Sequence, residues 1–176
     1  MLLAVLAAAS CAAPGRLAPE PASPPAEQSA TPIATDALIA AILAEANRAR
    51  EADGAEPLVL EDHLGVAAGE YAVELAGRRR LSHESPVVGR HSLTDRLAHA
   101  NARGWIRVGE NLAKVPVPAA ELPTRVVSLW LHSSGHRRNL LDPAFRTSGI
   151  GISRDADGYW YVTQVYAAPD EPLPAR

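Results

Sequence analysis

The apolar residues of this chain change their spacing once, from a helical period over most of its length to strand-like runs near the end. Residues 149–153 and 159–166 are rich in β-branched and aromatic side chains, as β-strands are. Between them lies a polar segment with an Asp157-Gly158 pair, which is typical of a hairpin turn. Helices first and strands last, without βαβ alternation, predict an α+β fold.

Four helices are predicted from the earlier part of the chain. The first covers about 36–52, with Thr35 or Asp36 as its N-cap, and an extended link at 57–60 leads to a second helix capped by Asp62. A third, shorter helix ends near Gly104, and a fourth passes through Val126 and Trp130 and ends at Gly135. Residues 108–113 are too short and interrupted to assign.

The two ends of the chain have a different composition from the middle. Residues 1–11 form a short apolar run that closes with Ala8-Ala9-Ser10-Cys11, which resembles a signal peptide ending in the lipobox of bacterial lipoproteins. Cys11 would then be lipidated and anchor the protein to a membrane, with ordinary secretion as the alternative. Residues 12–35 are rich in Pro and Ala and predict a disordered tether, and 169–176 predict a disordered tail.

The charge of the chain excludes one broad class of partner. With 17 Lys and Arg against 20 Asp and Glu, the net charge is -3, so no field favours nucleic acid. A single cysteine cannot form an internal disulfide. The charge therefore argues against nucleic acid as a partner. Together with the signal peptide, we expect an exported protein, and the sequence leaves its oligomeric state open.

Three polar residues lie in otherwise apolar surroundings and are candidates for a shared site. His83 follows the arginines that end the second helix, Glu110 lies in Gly109-Glu110-Asn111-Leu112, and His136 follows Gly135. Taken singly, each is more typical of a hydrogen-bonded structural residue than of a ligand.

Six segments in order resemble the CAP superfamily, the group of cysteine-rich secretory, antigen 5 and pathogenesis-related 1 proteins, in its bacterial SCP-like branch. The resemblance covers about residues 36–168. The segments that carry it are Asn47-Arg48-Ala49-Arg50, Pro57-Leu58, Ser82-His83-Glu84-Ser85-Pro86, Gly109-Glu110-Asn111-Leu112-Ala113, Trp130 through Leu140, and the final strands from Gly149-Ile150-Gly151 to Gln164-Val165-Tyr166.

The resemblance implies a three-layer α-β-α sandwich with a small, mainly antiparallel central sheet. It also implies that His83, Glu110 and His136 face one another across a cleft. In many eukaryotic members a second acid lies on the helix before the last histidine, and that helical position here is Ser133, which we expect to be the fourth residue of the cleft. The absence of this acid weakens any mechanism that needs paired carboxylates.

Two kinds of function fit such a cleft. In one, the cleft of a non-enzymatic module binds a small apolar molecule, a lipid or a cell-envelope component, and the polar residues form a hydrogen-bonded network. In the other, His83, His136 and Glu110 hold Zn²⁺ with a bound water, in a metal-dependent peptidase or esterase. His132 lies four residues before His136, but Gly135 makes a continuous helix between them doubtful. We favour the binding module.

Overall fold

The structure is a computed structural model that describes residues 34–170. The predicted signal peptide with Cys11, the tether up to residue 33 and the end of the tail at 171–176 lie outside the described residues. Thr35, which the sequence placed in the tether, is the first residue of a helix, and Pro169 is the last residue of a strand. Within this part of the chain, no helix combines the length and the apolar composition that crossing a bilayer requires.

The described residues form five α-helices and four β-strands. The helices are α1 (Thr35–Ala52), α2 (Asp62–Arg78), α3 (Leu93–His99), α4 (Leu122–His132) and α5 (Ser134–Leu141), and a short 3₁₀ turn at Ala119–Glu121 precedes α4. The strands are β1 (Val59–Leu60), β2 (Trp105–Val115), β3 (Thr147–Arg154) and β4 (Trp160–Pro169).

The four strands form one mixed sheet in the order β1-β3-β4-β2. β4 pairs antiparallel with both of its neighbours, whereas β1 runs parallel to β3 and pairs with it at two positions. The predicted α+β class and the mainly antiparallel central sheet are confirmed.

Helices cover both faces of the sheet, and successive side chains of β4 pack into one helical layer or the other. Val162 and Tyr166 pack into a core shared with α1, α4 and α5, whereas Val165 and Ala167 pack against α2 and α3. A sheet that is buried between two helical layers needs apolar side chains on both of its faces. The three-layer sandwich follows from this alternation.

Two glycines of β3 allow α2 to lie directly on the strand. A Cβ at Gly149 would lie 2.0 Å from the carbonyl carbon of Leu64, and one at Gly151 would lie 2.1 Å from the carbonyl oxygen of Ala68. Any side chain at either position would push the helix away from the sheet.

Three expectations about local structure were wrong, and the segment that the sequence left unassigned is a strand. The third helix ends at His99, five residues before Gly104. Residues 108–113 belong to the eleven-residue β2, whose pairing with β4 stabilises a segment that has no clear period of its own. Glu61, not Asp62, caps α2, since its carboxylate accepts hydrogen bonds from the backbone N–H groups of His63 and Leu64. Gly135 does not end the fourth helix: α4 ends at His132, and Gly135 lies inside α5.

Candidate functional site

The candidate site lies along β2, the strand at one edge of the sheet. Neighbouring residues of a strand point to opposite faces. Glu110 accordingly points toward α3 and the loop after α2, where Arg96 and His83 lie, whereas Asn111 points toward α5. The site is therefore built from both helical layers, across the edge of one strand.

Both carboxylate oxygens of Glu110 are engaged. Oε1 lies 2.8 Å from Nδ1 of His83, and Oε2 accepts a hydrogen bond of 2.6 Å from the guanidinium of Arg96. The side chains of Glu110 and Arg96 are each 4% exposed, so this ion pair is removed from water. Such a charge-assisted pair is strong and fixes both partners.

Arg96 also fixes the position of His83 through two other contacts. Its guanidinium stacks over the ring of Tyr71 at 3.6 Å and donates a hydrogen bond of 3.2 Å to the carbonyl oxygen of His83. Burial raises the pKa of Tyr71 to about 12, so the phenol is neutral and donates to the carbonyl oxygen of Ser82. The chain around His83 is thus held at two successive carbonyls.

His83 combines a fixed ring nitrogen with an exposed ring. Its side chain is 59% exposed, although Nδ1 is held by Glu110. The hydrogen bond with Glu110 raises the pKa of the His83 imidazole above its ordinary value, because the carboxylate favours the charged ring. The site therefore presents an imidazolium edge to solvent over a wider pH range than a free histidine would.

His136 reaches the same site from α5, which is attached to β2 by two asparagines. Asn111 donates a hydrogen bond of 2.9 Å to the carbonyl oxygen of His136, and Asn139 donates one of 3.1 Å to the carbonyl oxygen of Glu110. Asn139 also donates to the side-chain oxygen of Asn111. Gly109 allows the close packing at this position, since a Cβ there would lie only 3.1 Å from the ring of Phe145.

The two histidines have opposite electrostatic environments. Burial lowers the pKa of His136, and the nearby charge of His83 lowers it further. The pKa of His83 is therefore shifted upward from the ordinary histidine value, and that of His136 is shifted downward. We define the His83 cleft by the four residues His83, Arg96, Glu110 and His136.

Two other candidate residues have different surroundings. Ser133 is not on a helix: it has an extended conformation in the bend between α4 and α5, and its side chain caps neither. Its carbonyl oxygen accepts a hydrogen bond of 2.7 Å from the N–H of Arg137. His132 donates a hydrogen bond of 2.7 Å from Nδ1 to the carbonyl oxygen of Ser128 and lines a different cavity, between α1 and α4.

The donor set does not fit a three-ligand zinc site. Catalytic zinc is held by three protein ligands with water at the fourth position. Within residues 34–170, no three His, Cys, Asp or Glu side chains converge as a metal site. Glu110 is committed to His83 and Arg96, so the cleft offers two imidazoles and lacks the third ligand that the sequence assigned to this carboxylate.

The sequence of the chain matches one family model, in agreement with the sandwich fold. Residues 43–166 match the model described as CAP, the cysteine-rich secretory protein family. The chain belongs to the CAP family. The resemblance stated from the sequence is confirmed, and the family is one of extracellular proteins.

One curated relative is itself a bacterial protein. The uncharacterized protein YkwD of Bacillus subtilis (strain 168) is 30% identical over 105 residues, which make up 60% of this chain. The aligned residues span 38% of YkwD, so the chain corresponds to a minor part of that relative.

Solved structures share the CAP fold at low sequence identity. An outer surface protein from Borrelia burgdorferi is 19% identical with a TM-score of 0.65, over 78% of this chain and 96% of that one. An extracellular SCP-domain protein from Bacillus anthracis is 24% identical with a TM-score of 0.60, over 78% of this chain and 45% of that one. The structure of NaASP2 with Zn²⁺ is 12% identical with a TM-score of 0.53, over 76% of this chain and 80% of that one.

Arg96 is the residue of this CAP cleft that sequence reasoning missed. It follows the acidic residue of a capping box on a short helix, a position typical of solvent-exposed side chains. No sequence signal separates it from the exposed arginines of the chain. Asn111 is a second such case, because its role depends on α5 packing against β2.

Proposed function

We propose that this CAP protein is an exported, non-enzymatic binding module of the cell envelope, and that its His83 cleft binds a small apolar molecule or lipid by its polar head group. One observation carries this proposal. Both oxygens of Glu110 are held by His83 and Arg96, so the one carboxylate of the cleft is not free to act as a general base. A site that fixes its polar groups and leaves a histidine edge exposed is suited to binding.

The loop that carries His83 supports an apolar ligand. Leu81, Val87 and Val88 of this loop are 38%, 42% and 99% exposed. The loop is held in place by Ser85, so the exposure of these side chains does not result from loop flexibility. Ser85 is buried, and its hydroxyl donates to Glu74 and accepts from the N–H of Val87. A loop that is held by hydrogen bonds and carries both exposed apolar side chains and the His83 imidazolium suits an amphiphile with an acidic head group.

A metal-dependent hydrolase is the second candidate, and one observation favours it. The crystal structure of NaASP2 with Zn²⁺ has the same fold, and in the present cleft the charge of His83 acts on His136. If zinc bound at these two rings it would supply Lewis acidity and an activated water. The missing third ligand and the engaged state of Glu110 favour the binding module.

Titration of the protein with sodium palmitate, followed by calorimetry, separates the two candidates. The binding module predicts uptake of palmitate that is unchanged by EDTA and weakened in His83→Gln. His132→Gln is the matched control, since it changes a histidine outside the cleft. Zinc binding that is lost in both His83→Gln and His136→Gln, together with turnover of ester or peptide substrates, would establish the hydrolase instead.

The anchoring of the protein at a membrane through a lipidated Cys11 is a separate proposal. The lipobox-like sequence around Cys11 supports it. Growth of cells with labelled palmitate tests it, with Cys11→Ser as the variant. Equal labelling of the variant and the parent would contradict the anchor.

A further inference from the structure

Within residues 34–170, no strand pairs with the outer edge of β1, which lies at the opposite end of the sheet order from β2 and the His83 cleft. β1 is bonded to β3 through the N–H of Val59, which donates to Arg146, and the N–H of Glu61, which donates to Ser148, both at 3.0 Å. In a strand, alternate residues direct their backbone groups to opposite sides. The N–H and C=O groups of Leu58 and Leu60 therefore face away from β3.

A side chain from α1 takes the place of a neighbouring strand at Leu58. The Oδ1 atom of Asn47 accepts a hydrogen bond of 2.8 Å from the N–H of Leu58, and its Nδ2 donates one of 3.0 Å to the carbonyl oxygen of the same residue. These two hydrogen bonds satisfy the outward-facing backbone N–H and C=O of Leu58 alone. The edge at Leu60, two residues on, faces a cavity.

That cavity has an apolar floor and an acidic rim. Its volume is about 510 Å³, and Ile39, Ala40, Leu60, Gly65, Val66 and Ile150 form its apolar lining. Leu60 and Val66 are 41% and 49% exposed, which is high for large apolar side chains facing one cavity. We call this cavity, with the free edge of Leu60, the β1 groove.

Three carboxylates border the β1 groove: Asp36, Glu61 and Asp62. None of them forms an ion pair with any residue in the 34–170 range. No basic residue of that range lines the groove, so no cation offsets the negative charge of its rim, which is moderated by the N-terminal dipoles of α1 and α2. A positively charged partner would be attracted there.

We propose that the β1 groove binds an extended peptide segment of a partner protein in which apolar and basic residues alternate. One residue of the segment pairs with the backbone N–H and C=O of Leu60, as Asn47 does with Leu58. Its apolar side chain enters the space between Ile39 and Val66, and a neighbouring Lys or Arg lies against Asp36 or Asp62. This is strand addition at an exposed sheet edge, with backbone bonds for affinity and side chains for specificity.

The shape of α1 favours a peptide over a compact small molecule. A second cavity of about 450 Å³ lies further along the same helix, at Ala44 and Asn47, and borders the link before β1 at Pro57. Ala40 and Ala44 are exposed and small, so a chain can pass close to the helix between the two cavities. Together they give room for several extended residues.

The test uses the ¹⁵N-labelled full chain and three synthetic peptides. The first is an acetylated hexapeptide of alternating valine and lysine, the second has glutamate in place of lysine, and the third repeats the first with methylated backbone nitrogens. We expect the lysine peptide to shift the amide signals of Leu60, Val66 and Ile39. The glutamate peptide and the methylated peptide should bind at least several-fold more weakly.

Charge variants give an independent readout. Asp36→Asn combined with Asp62→Asn should weaken binding of the lysine peptide by roughly two- to tenfold, since each exposed ion pair contributes modestly. Asp53→Asn combined with Glu121→Gln removes two charges elsewhere and should leave binding unchanged. Circular dichroism confirms that both variants are folded.

Three results would overturn the proposal. The first is equal binding of the lysine and glutamate peptides, the second is binding that survives backbone methylation, and the third is the absence of any shift at Leu60 with millimolar lysine peptide. None of these results bears on the His83 cleft, because the β1 groove shares no residue with it.

Discussion

The guanidinium of Arg96 lies 2.6 Å from Oε2 of Glu110, and neither side chain is more than 4% exposed. This buried pair occupies one oxygen of the carboxylate, and the other oxygen holds His83. The position and the charge of the exposed histidine thus depend on an arginine that never reaches the surface. The arrangement makes Arg96 a positioning residue for the cleft.

Replacing Arg96 with leucine should destabilise the fold strongly. The change leaves Glu110 charged, buried and unpaired on one side, and loss of one partner of a buried pair typically costs about 3–5 kcal/mol. Urea unfolding measures the free energy of unfolding. Arg48→Ala, which removes an exposed pair with Glu45, should change it by less than about 1 kcal/mol. Adding Glu110→Leu to Arg96→Leu should restore much of the loss, and failure to do so would contradict the pairing.

The ring signals of the two histidines should titrate on opposite sides of the ordinary histidine value. Proton NMR of the parent should give a pKa above about 6.5 for His83 and below it for His136. His83→Gln should raise the pKa of His136, because a nearby positive charge is removed. A His136 pKa that is the same in the parent and in His83→Gln would show that the two rings do not interact.

The stabilising effect of His83 should depend on pH. Its folded-state pKa is raised, so its contribution to stability is fully present below the unfolded value of about 6.5 and is lost as pH rises through the folded value. The difference in free energy of unfolding between the parent and His83→Gln should therefore be larger at about pH 6 than at about pH 9. A gap that widens with pH would contradict the sign.

Two glycines offer a matched test of how α2 lies on the sheet. Gly149→Ala would place a Cβ 2.0 Å from the backbone of Leu64, and overpacking of this kind typically costs about 1–3 kcal/mol or more. Gly69→Ala, on the facing helix, meets nothing within 4 Å and should stabilise α2 by about 0.5–1 kcal/mol. Thermal unfolding should show a lower Tm for the first variant and an unchanged or higher Tm for the second.

The sequence predicted the α+β class better than its local details, and the three layers were implied by the family resemblance. The stripe of Leu64, Ala68 and Leu75 marks the buried face of α2, and the alternation of β4 marks both faces of the sheet. β2 was missed because Gly109, Glu110 and Asn111 interrupt its apolar pattern, and these residues serve the cleft. The break at Ser133 was placed two residues late, since glycine is a stronger breaker in general than serine.

The network around the cleft shows a second limit of sequence reasoning. His83, Glu110 and His136 stood out because of their segments, but Arg96 and Asn111 gain their roles only through contacts with residues 13 to 55 positions away. Whether His83, His136 and Glu110 can form a metal site depends on where the carboxylate of Glu110 points, which the sequence does not show. Its engagement with Arg96 removes one of the three expected ligands.

The most direct test of the proposed function is NMR titration of the protein with palmitate in the presence of EDTA, observed at the ring signals of His83 and His136. A binding cleft built on His83 predicts saturable shifts of both rings, unchanged when EDTA is omitted, and loss of saturation in His83→Gln but not in His132→Gln. Palmitate that leaves both rings unperturbed, or that binds His83→Gln as tightly as the parent, would contradict this cleft.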